Sequence, residues 1–219
     1  MRQKALLFDF DGVVADTEGE YSRFWDKMGM RLLGRENFAS VIKGSTLSNI
    51  LQTYFPERES DTQQILSGLD ELEKNMDYNL IPGVLDFVRE AKRRDFKTAI
   101  VTSSNLPKIE FVYKARPEIK SCFDHILTSE DFSASKPEPD CYLKAMQLCG
   151  SDPQRSIVFE DSLNGLLSGR RSGARVIGLL TTLPHESVQA LSDLQIEDFR
   201  DSEKIFEWID AIGKNESCN

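Results

Sequence analysis

Long apolar runs are missing from this 219-residue chain: no stretch of about 18 or more apolar residues occurs, so none is long enough for a membrane-spanning helix. Cysteine and histidine are scarce. The four cysteines, Cys122, Cys141, Cys149 and Cys218, form no CxxC pair, and only His125 and His185 accompany them. That excludes a zinc-ligand pattern and a disulfide scaffold, so free thiols and histidines without a chemical role are expected. Basic charge is in deficit, with 27 Lys and Arg against 36 Asp and Glu and a formal net charge of -9. Such a surface repels nucleic acid and anionic membrane, and neither is expected as a partner. The chain reaches Asp9 too early to fit a signal peptide's apolar core and cleavage site before it. A cytoplasmic, monomeric protein is expected, with room for one substantial core and a smaller inserted unit.

What is present is an alternation. Residues 4–10 form a short apolar run ending in an Asp-Gly turn signal, as a strand buried on both faces requires. Similar runs occupy residues 97–101, 125–127, 156–159 and 175–179. Helical stripes separate them: Val84, Phe87, Val88 and Ala91, then the sparser Tyr142, Met146 and Cys149. Ile205, Trp208, Ile209 and Ile212 make a last one. Strands alternating with helices predict an α/β fold, an open parallel sheet with helices on both faces. Residues 17–79 break the pattern. They carry only helical stripes (Tyr21, Phe24, Trp25, Met28; Leu47, Ile50, Leu51, Tyr54; Ile65, Leu69, Leu72, Met76), which predicts a helical cap inserted into a core of residues 1–16 and 80–219. The polar stretch 56–64 reads as a mobile loop.

Asp9 and Asp11 lie one residue apart at the end of the first apolar run, where like charges repel and burial of either is costly. In an open parallel sheet, ligands bind where the strands' carboxyl ends meet their loops. Thr102, Ser103 and Ser104 follow the second run, Lys136 lies after the third, and Glu160 and Asp161 follow the fourth. All are therefore expected at one edge. A hard divalent cation on Asp9, Asp11 and Asp161 would offset the repulsion, and magnesium suits oxygen ligands. Taken singly, each has a plainer explanation: Asp161 as a helix cap, Thr102 in a local backbone bond, Lys136 as a solvated loop lysine.

Four segments together, DFDGVVADTE (9–18, with the preceding ALLF), IVTSS (100–104), SASKPEPD (133–140) and IVFEDSLNGL (157–166), resemble the motifs of the haloacid dehalogenase superfamily. Within it, the chain looks like the β-phosphoglucomutase and sugar phosphatase branch. The resemblance spans essentially the whole chain. It implies a Rossmann-like core under a helical lid, and hydrolysis of a small phosphorylated metabolite through an aspartyl-phosphate. By the same resemblance Asp9 is the nucleophile, Asp11 the acid and then the base, and Thr102 with Ser103 the phosphoryl-binding pair. Lys136 balances the charge of the transferring group. Asp9, Asp161, the Asp11 carbonyl and, directly or through water, Glu160 hold Mg2+.

The resemblance thins in the cap. Where mutases of this branch carry a histidine, the sequence has Tyr21, and where they carry a substrate-loop arginine it reads Lys43-Gly44-Ser45-Thr46-Leu47. Leu47 shares an apolar stripe and is expected in the core. Lys43 offers a point charge in place of a bidentate guanidinium, which favours a phosphatase over a mutase. Substrate contacts are expected around Glu18, Tyr21 and Lys43. Asp11 argues against dehalogenation. A receiver-like phospho-accepting signalling module is the alternative of another class, but its acceptor aspartate follows the third strand and it has no such helical insert.

Overall fold

A computed structural model describes residues 3–42 and 45–216, with side chains described as far as residue 212. Lys43 and Cys218 lie outside the described residues. The chain starts with β1 (Lys4–Phe8), followed by α1 (Glu18–Leu33), α2 (Phe38–Ile42), α3 (Leu47–Tyr54) and α4 (Glu59–Asn75). Then come α5 (Val84–Arg93), β2 (Phe96–Val101), α6 (Leu106–Ala115), α7 (Pro117–Cys122), β3 (His125–Leu127) and α8 (Asp140–Leu148). The chain continues through β4 (Ser156–Glu160), α9 (Leu163–Arg171), β5 (Arg175–Leu179), α10 (His185–Gln189), β6 (Leu194–Ile196) and α11 (Ser202–Glu216).

The six strands form one parallel sheet in the order β3-β2-β1-β4-β5-β6. This is the expected Rossmann-like layer. β1 is central, with Leu7 in register with Ala99 of β2 and Val158 of β4. Its side chains alternate between two cores, as strand geometry dictates. Leu6 and Phe8 enter one with Phe87, Phe199 and Phe206, while Ala5 and Leu7 enter the other with Tyr142, Met146 and Val176. Phe8 stacks on Phe159 at 4.5 Å between ring centroids. A run that is apolar at every position is therefore explained by two buried faces.

The helical stretch between β1 and α5 has an apolar cluster of its own, including Phe24, Trp25, Phe38, Ile50 and Ile65. Both chain crossings into it are pinned side by side: the Asp16 amide donates to the Asn79 carbonyl at 2.7 Å and the Ile81 amide to the Val14 carbonyl at 3.0 Å.

The structure corrects four details. The stretch 56–64 is not a loop throughout, because α4 begins at Glu59, with Glu59 and Asp61 in the first turn where acidic charge suits the helix dipole. Leu47 opens α3 with 37% of its surface exposed, so it is no core residue: Ile50 alone of that stripe is fully buried. The short α2 supplies Phe38 to the cluster and carries no periodic signal. β6 was also not anticipated, since its three residues are only partly buried on an edge and its pairing with β5 defines it. Cys122, Cys141 and Cys149 are free thiols, as expected, and buried. Among the described residues, no helix is long and apolar enough to cross a membrane.

Candidate active site

The strand ends bring the sequence-predicted residues to one cavity of about 410 Å3, whose walls include Asp9, Asp11, Thr102, Ser103, Lys136 and Asp161. Glu18, Tyr21, Trp25 and Ile50 wall it from the helical insertion. Glu160 stands behind Lys136, with no exposed surface. β1 ends at Phe8, and the Asp9 amide still pairs with the Phe159 carbonyl at 3.0 Å, which seats Asp9 on the sheet rim.

Lys136 is the centre of the charge arrangement. Its ammonium donates to Asp9 Oδ1 at 2.7 Å, to Glu160 Oε1 at 2.6 Å and to the Val101 carbonyl at 3.1 Å. All three side chains are buried. Burial disfavours the ammonium, but Asp9 and Glu160 outweigh it and hold the Lys136 pKa above its ordinary value. Burial pushes the Asp9 carboxyl up to about 7 against the pull of Lys136, with Glu160 and Asp11 adding to the rise.

Glu160 is saturated by the protein. Oε1 also accepts the Tyr142 hydroxyl at 2.7 Å, and Oε2 accepts the Asp161 amide at 3.1 Å together with the Ser162 amide and hydroxyl. A Cβ on Gly165 would sit 1.9 Å from this carboxylate, so α9 approaches it through a glycine.

Asp161 is the opposite case. Its Oδ2 accepts the Thr182 hydroxyl, while Oδ1 is buried and has no hydrogen-bond partner. Burial, then Glu160 and Asp9, raise its pKa well above the carboxylate range. Carboxylate oxygens of Asp9, Glu160 and Asp161 lie within 4.8 Å of one another. An orphaned buried oxygen beside two further carboxylates could hold a hard cation, which would supply what no protein donor does. The plainer account of Asp161 as a helix cap fails: Ser162 caps α9, accepting the Gly165 amide at 3.1 Å.

Asp11 turns away from this group. Both its oxygens accept Lys108 Nζ at 2.7 Å, Oδ1 also takes the Thr17 hydroxyl at 2.7 Å, and Oδ2 takes that of Ser104 at 3.1 Å. Burial works to raise its pKa, and Lys108, Thr17 and Ser104 together bring it below the ordinary value. Gly12 follows at φ +76°, a left-handed conformation that suits glycine. Thr102 Oγ1 accepts the Ser104 amide at 3.0 Å, which fixes the rotamer and leaves its O–H to donate.

A family model of haloacid dehalogenase-like hydrolases matches residues 3–173. The chain belongs to that family. The hydrolase is 31% identical to hexitol phosphatase A of Escherichia coli over 185 residues, covering 82% of this chain and 84% of that one. It is 29% identical to protein CbbY of Cereibacter sphaeroides over 194 residues, covering 80% and 83%. Among solved structures, a CbbY variant from Rhodobacter sphaeroides in complex with xylulose-(1,5)bisphosphate superposes with a TM-score of 0.71 at 25% identity, covering 91% and 96%. Relatives of the hydrolase are named as phosphatases, and a β-phosphoglucomutase-like structure from Bacteroides vulgatus shares its fold with a TM-score of 0.74 at 25% identity, covering 96% and 90%.

Sequence reasoning missed Lys108, Thr17, Tyr142 and Thr182, and placed Ser104 at the strand edge without assigning it a role. Thr17 and Thr182 line the cavity, Tyr142 reaches it only through Glu160, and none of the three leaves a spacing signal. Lys108 left one. It sits in the first turn of α6, behind an Asn105 cap, where a cation opposes the helix dipole unless a carboxylate faces it. Tyr21 lines the cavity and donates its hydroxyl to Glu73 of α4 at 2.8 Å.

Proposed function

We propose that this hydrolase is a magnesium-dependent phosphatase of a small phosphorylated metabolite of the sugar or sugar-alcohol phosphate class, acting through an aspartyl-phosphate. One observation carries the reading: Asp9, held by Lys136 at 2.7 Å, lies beside Asp161 Oδ1, a buried oxygen without a partner. A carboxylate nucleophile, a cation for the phosphoryl charge and an oxygen needing a metal meet at one strand edge.

The side chains of Asp9 and Asp161 with the Asp11 carbonyl would hold Mg2+. Glu160, whose oxygens already accept five protein donors, would act on it through water or by charge. When bound, Mg2+ screens the phosphoryl oxygens from the carboxylates. Asp9 attacks phosphorus, the bond from phosphorus to the substrate's alcohol oxygen breaks, and that oxygen takes the proton of protonated Asp11, the form that Lys108, Thr17 and Ser104 disfavour in the substrate-free site. Water then attacks the aspartyl-phosphate, passes a proton to Asp11 and releases inorganic phosphate. Splitting the transfer in two is the logic of covalent catalysis, and proton transfer of this kind is worth ~10² to 10⁴ in rate. Thr102 Oγ1 and the Ser103 amide hold phosphoryl oxygens, while Lys136 meets charge that develops on them.

Residues 17–79 are read as a cap domain on a core of residues 1–16 and 80–219. The separate apolar cluster and the paired crossings at Asp16 and Asn79 support that division. Glu18 and Tyr21, on the cavity wall, and Lys43 would meet the non-reacting part of the substrate. Hydrolysis is favoured over a mutase reaction because Tyr21 and the solvent-exposed hydrocarbon of Leu47 stand where the resemblance expects a mutase's histidine and arginine.

The test is phosphate release from hexitol, hexose and pentulose phosphates by purified protein, with Mg2+ or with EDTA. Release should require Mg2+ and disappear in Asp9→Asn, with the fold intact by circular dichroism. Turnover that persists in EDTA, or more than a few per cent activity in Asp9→Asn, overturns the proposal.

A further inference from the structure

Lys108 is one of two buried lysines in the described residues, and no motif accounts for it. Only 4% of its surface is exposed. Its ammonium meets one carboxylate, that of Asp11, and otherwise aromatic faces: the Tyr21 ring at 4.9 Å and the Phe10 ring at 5.9 Å. Burying an ammonium in the first turn of α6 costs desolvation and opposes the helix dipole. The ion pair with Asp11 and the ring faces offset that cost.

From the other side, Asp11 has a donor on every exposed edge of its carboxylate. Thr17 holds Oδ1, Ser104 holds Oδ2, and Lys108 spans both. The hydroxyls hold one oxygen each, and Lys108 is the donor that spans both and ties the carboxylate to α6 as a unit. The contacts continue outward through Tyr21, whose ring covers the ammonium and whose hydroxyl reaches Glu73 in the helical insertion.

We propose that Lys108 is a positioning residue for Asp11: by bridging both carboxylate oxygens it sets the orientation from which Asp11 exchanges a proton with the leaving oxygen and with water. The inference rests on the proposed proton-transfer role of Asp11. Lys108 touches no substrate. Removing Lys108 has two effects of opposite sign: losing the charge favours the protonated acid and speeds donation, whereas a misplaced donor slows reactions in proportion to their need for a proton on the leaving group, and the positioning role requires the second to win.

The experiment compares p-nitrophenyl phosphate, whose leaving group departs without a proton, with phenyl phosphate, whose leaving group needs one more. Wild type, Asp11→Asn, Lys108→Met and Lys108→Gln are assayed with Mg2+, alongside thermal denaturation. Lys108→Met should widen the kcat/KM ratio between the two esters at least tenfold, as Asp11→Asn does, because kcat/KM reports departure of the leaving group and not the common hydrolysis of the aspartyl-phosphate. Lys108→Gln, which keeps an N–H donor, should fall between Lys108→Met and wild type, and it carries the comparison if Lys108→Met does not fold. An equal loss of kcat/KM for both esters, an unchanged ratio or a higher kcat/KM in the Lys108 variants, with the ratio widened in Asp11→Asn, overturns the positioning role. If Asp11→Asn itself leaves the ratio unchanged, the proton-transfer reading of Asp11 fails and the role of Lys108 falls with it.

Discussion

Tyr142 and Lys136 donate to the same oxygen, Glu160 Oε1, at 2.7 and 2.6 Å, and the ammonium also lies 5.0 Å from the centre of the Tyr142 ring. The tyrosine comes from α8 and the lysine from the loop before it, so the helix braces the loop through the carboxylate. Tyr142→Phe keeps the ring and removes the hydroxyl. We expect a stability loss of about 1 kcal/mol, the usual value of one net hydrogen bond, read from urea denaturation. Turnover should fall several-fold, since Glu160 Oε1 keeps Lys136 but loses its other donor.

Asp161 gives a prediction of opposite sign. Its unpartnered Oδ1 and raised pKa mark a carboxylate that destabilises the metal-free fold. Asp161→Asn removes one charge from the group with Asp9 and Glu160. In EDTA the variant should melt above wild type. Added Mg2+ should raise the wild-type Tm, by an amount that corresponds to about 2.7 kcal/mol at a hundred times the dissociation constant, and leave the variant unmoved. Thermal denaturation with and without Mg2+ checks both statements.

Gly12 packs against the same carboxylate. A Cβ there would lie 2.0 Å from Asp161 Oδ2, and its φ of +76° disfavours any other residue. Gly12→Ala therefore combines backbone strain of roughly 1–2 kcal/mol with a displaced Asp161. The Tm should drop in EDTA, and Mg2+ should no longer restore it. An alanine variant with the wild-type Mg2+ response would mean that Asp161 is not the ligand.

The layers of this molecule differ in how much of them a sequence carries. β1 was legible because a strand buried on both faces must be apolar at every position, and α5 because its buried stripe of Val84, Phe87, Val88 and Ala91 has helical period. Asp9, Thr102, Lys136 and Asp161 could be placed at one edge before any coordinates, since parallel strands put their following loops on the same side. What stayed hidden depends on tertiary contact. β6 is a strand by virtue of pairing with β5, α2 is a single turn that supplies Phe38, and Leu47 has the right spacing but sits at an exposed helix start. The partners of Asp11 come from two segments, Thr17 before α1 and Ser104 with Lys108 at the start of α6, and nothing local announces that they meet.

Asp124 offers a pH test away from the active site. It follows α7 and ties β2 to α5: Oδ2 accepts the Thr98 amide at 2.9 Å, and Oδ1 pairs with Lys92 Nζ at 3.0 Å. Partial burial works to raise its pKa, but the Thr98 amide and Lys92 outweigh it and leave it lowered. A carboxyl with a lower pKa folded than unfolded binds fewer protons when folded. Its stabilisation is therefore present above the unfolded value of about 3.9 and is lost as pH falls through the folded value. Asp124→Asn should cost about 1 kcal/mol at pH 7, and the difference from wild type should shrink as the pH is taken below about 3.9. Urea denaturation of both proteins between neutral and acid pH measures it. A constant gap across that range would mean that the charge on Asp124 contributes nothing and that the hydrogen bond to Thr98 alone matters.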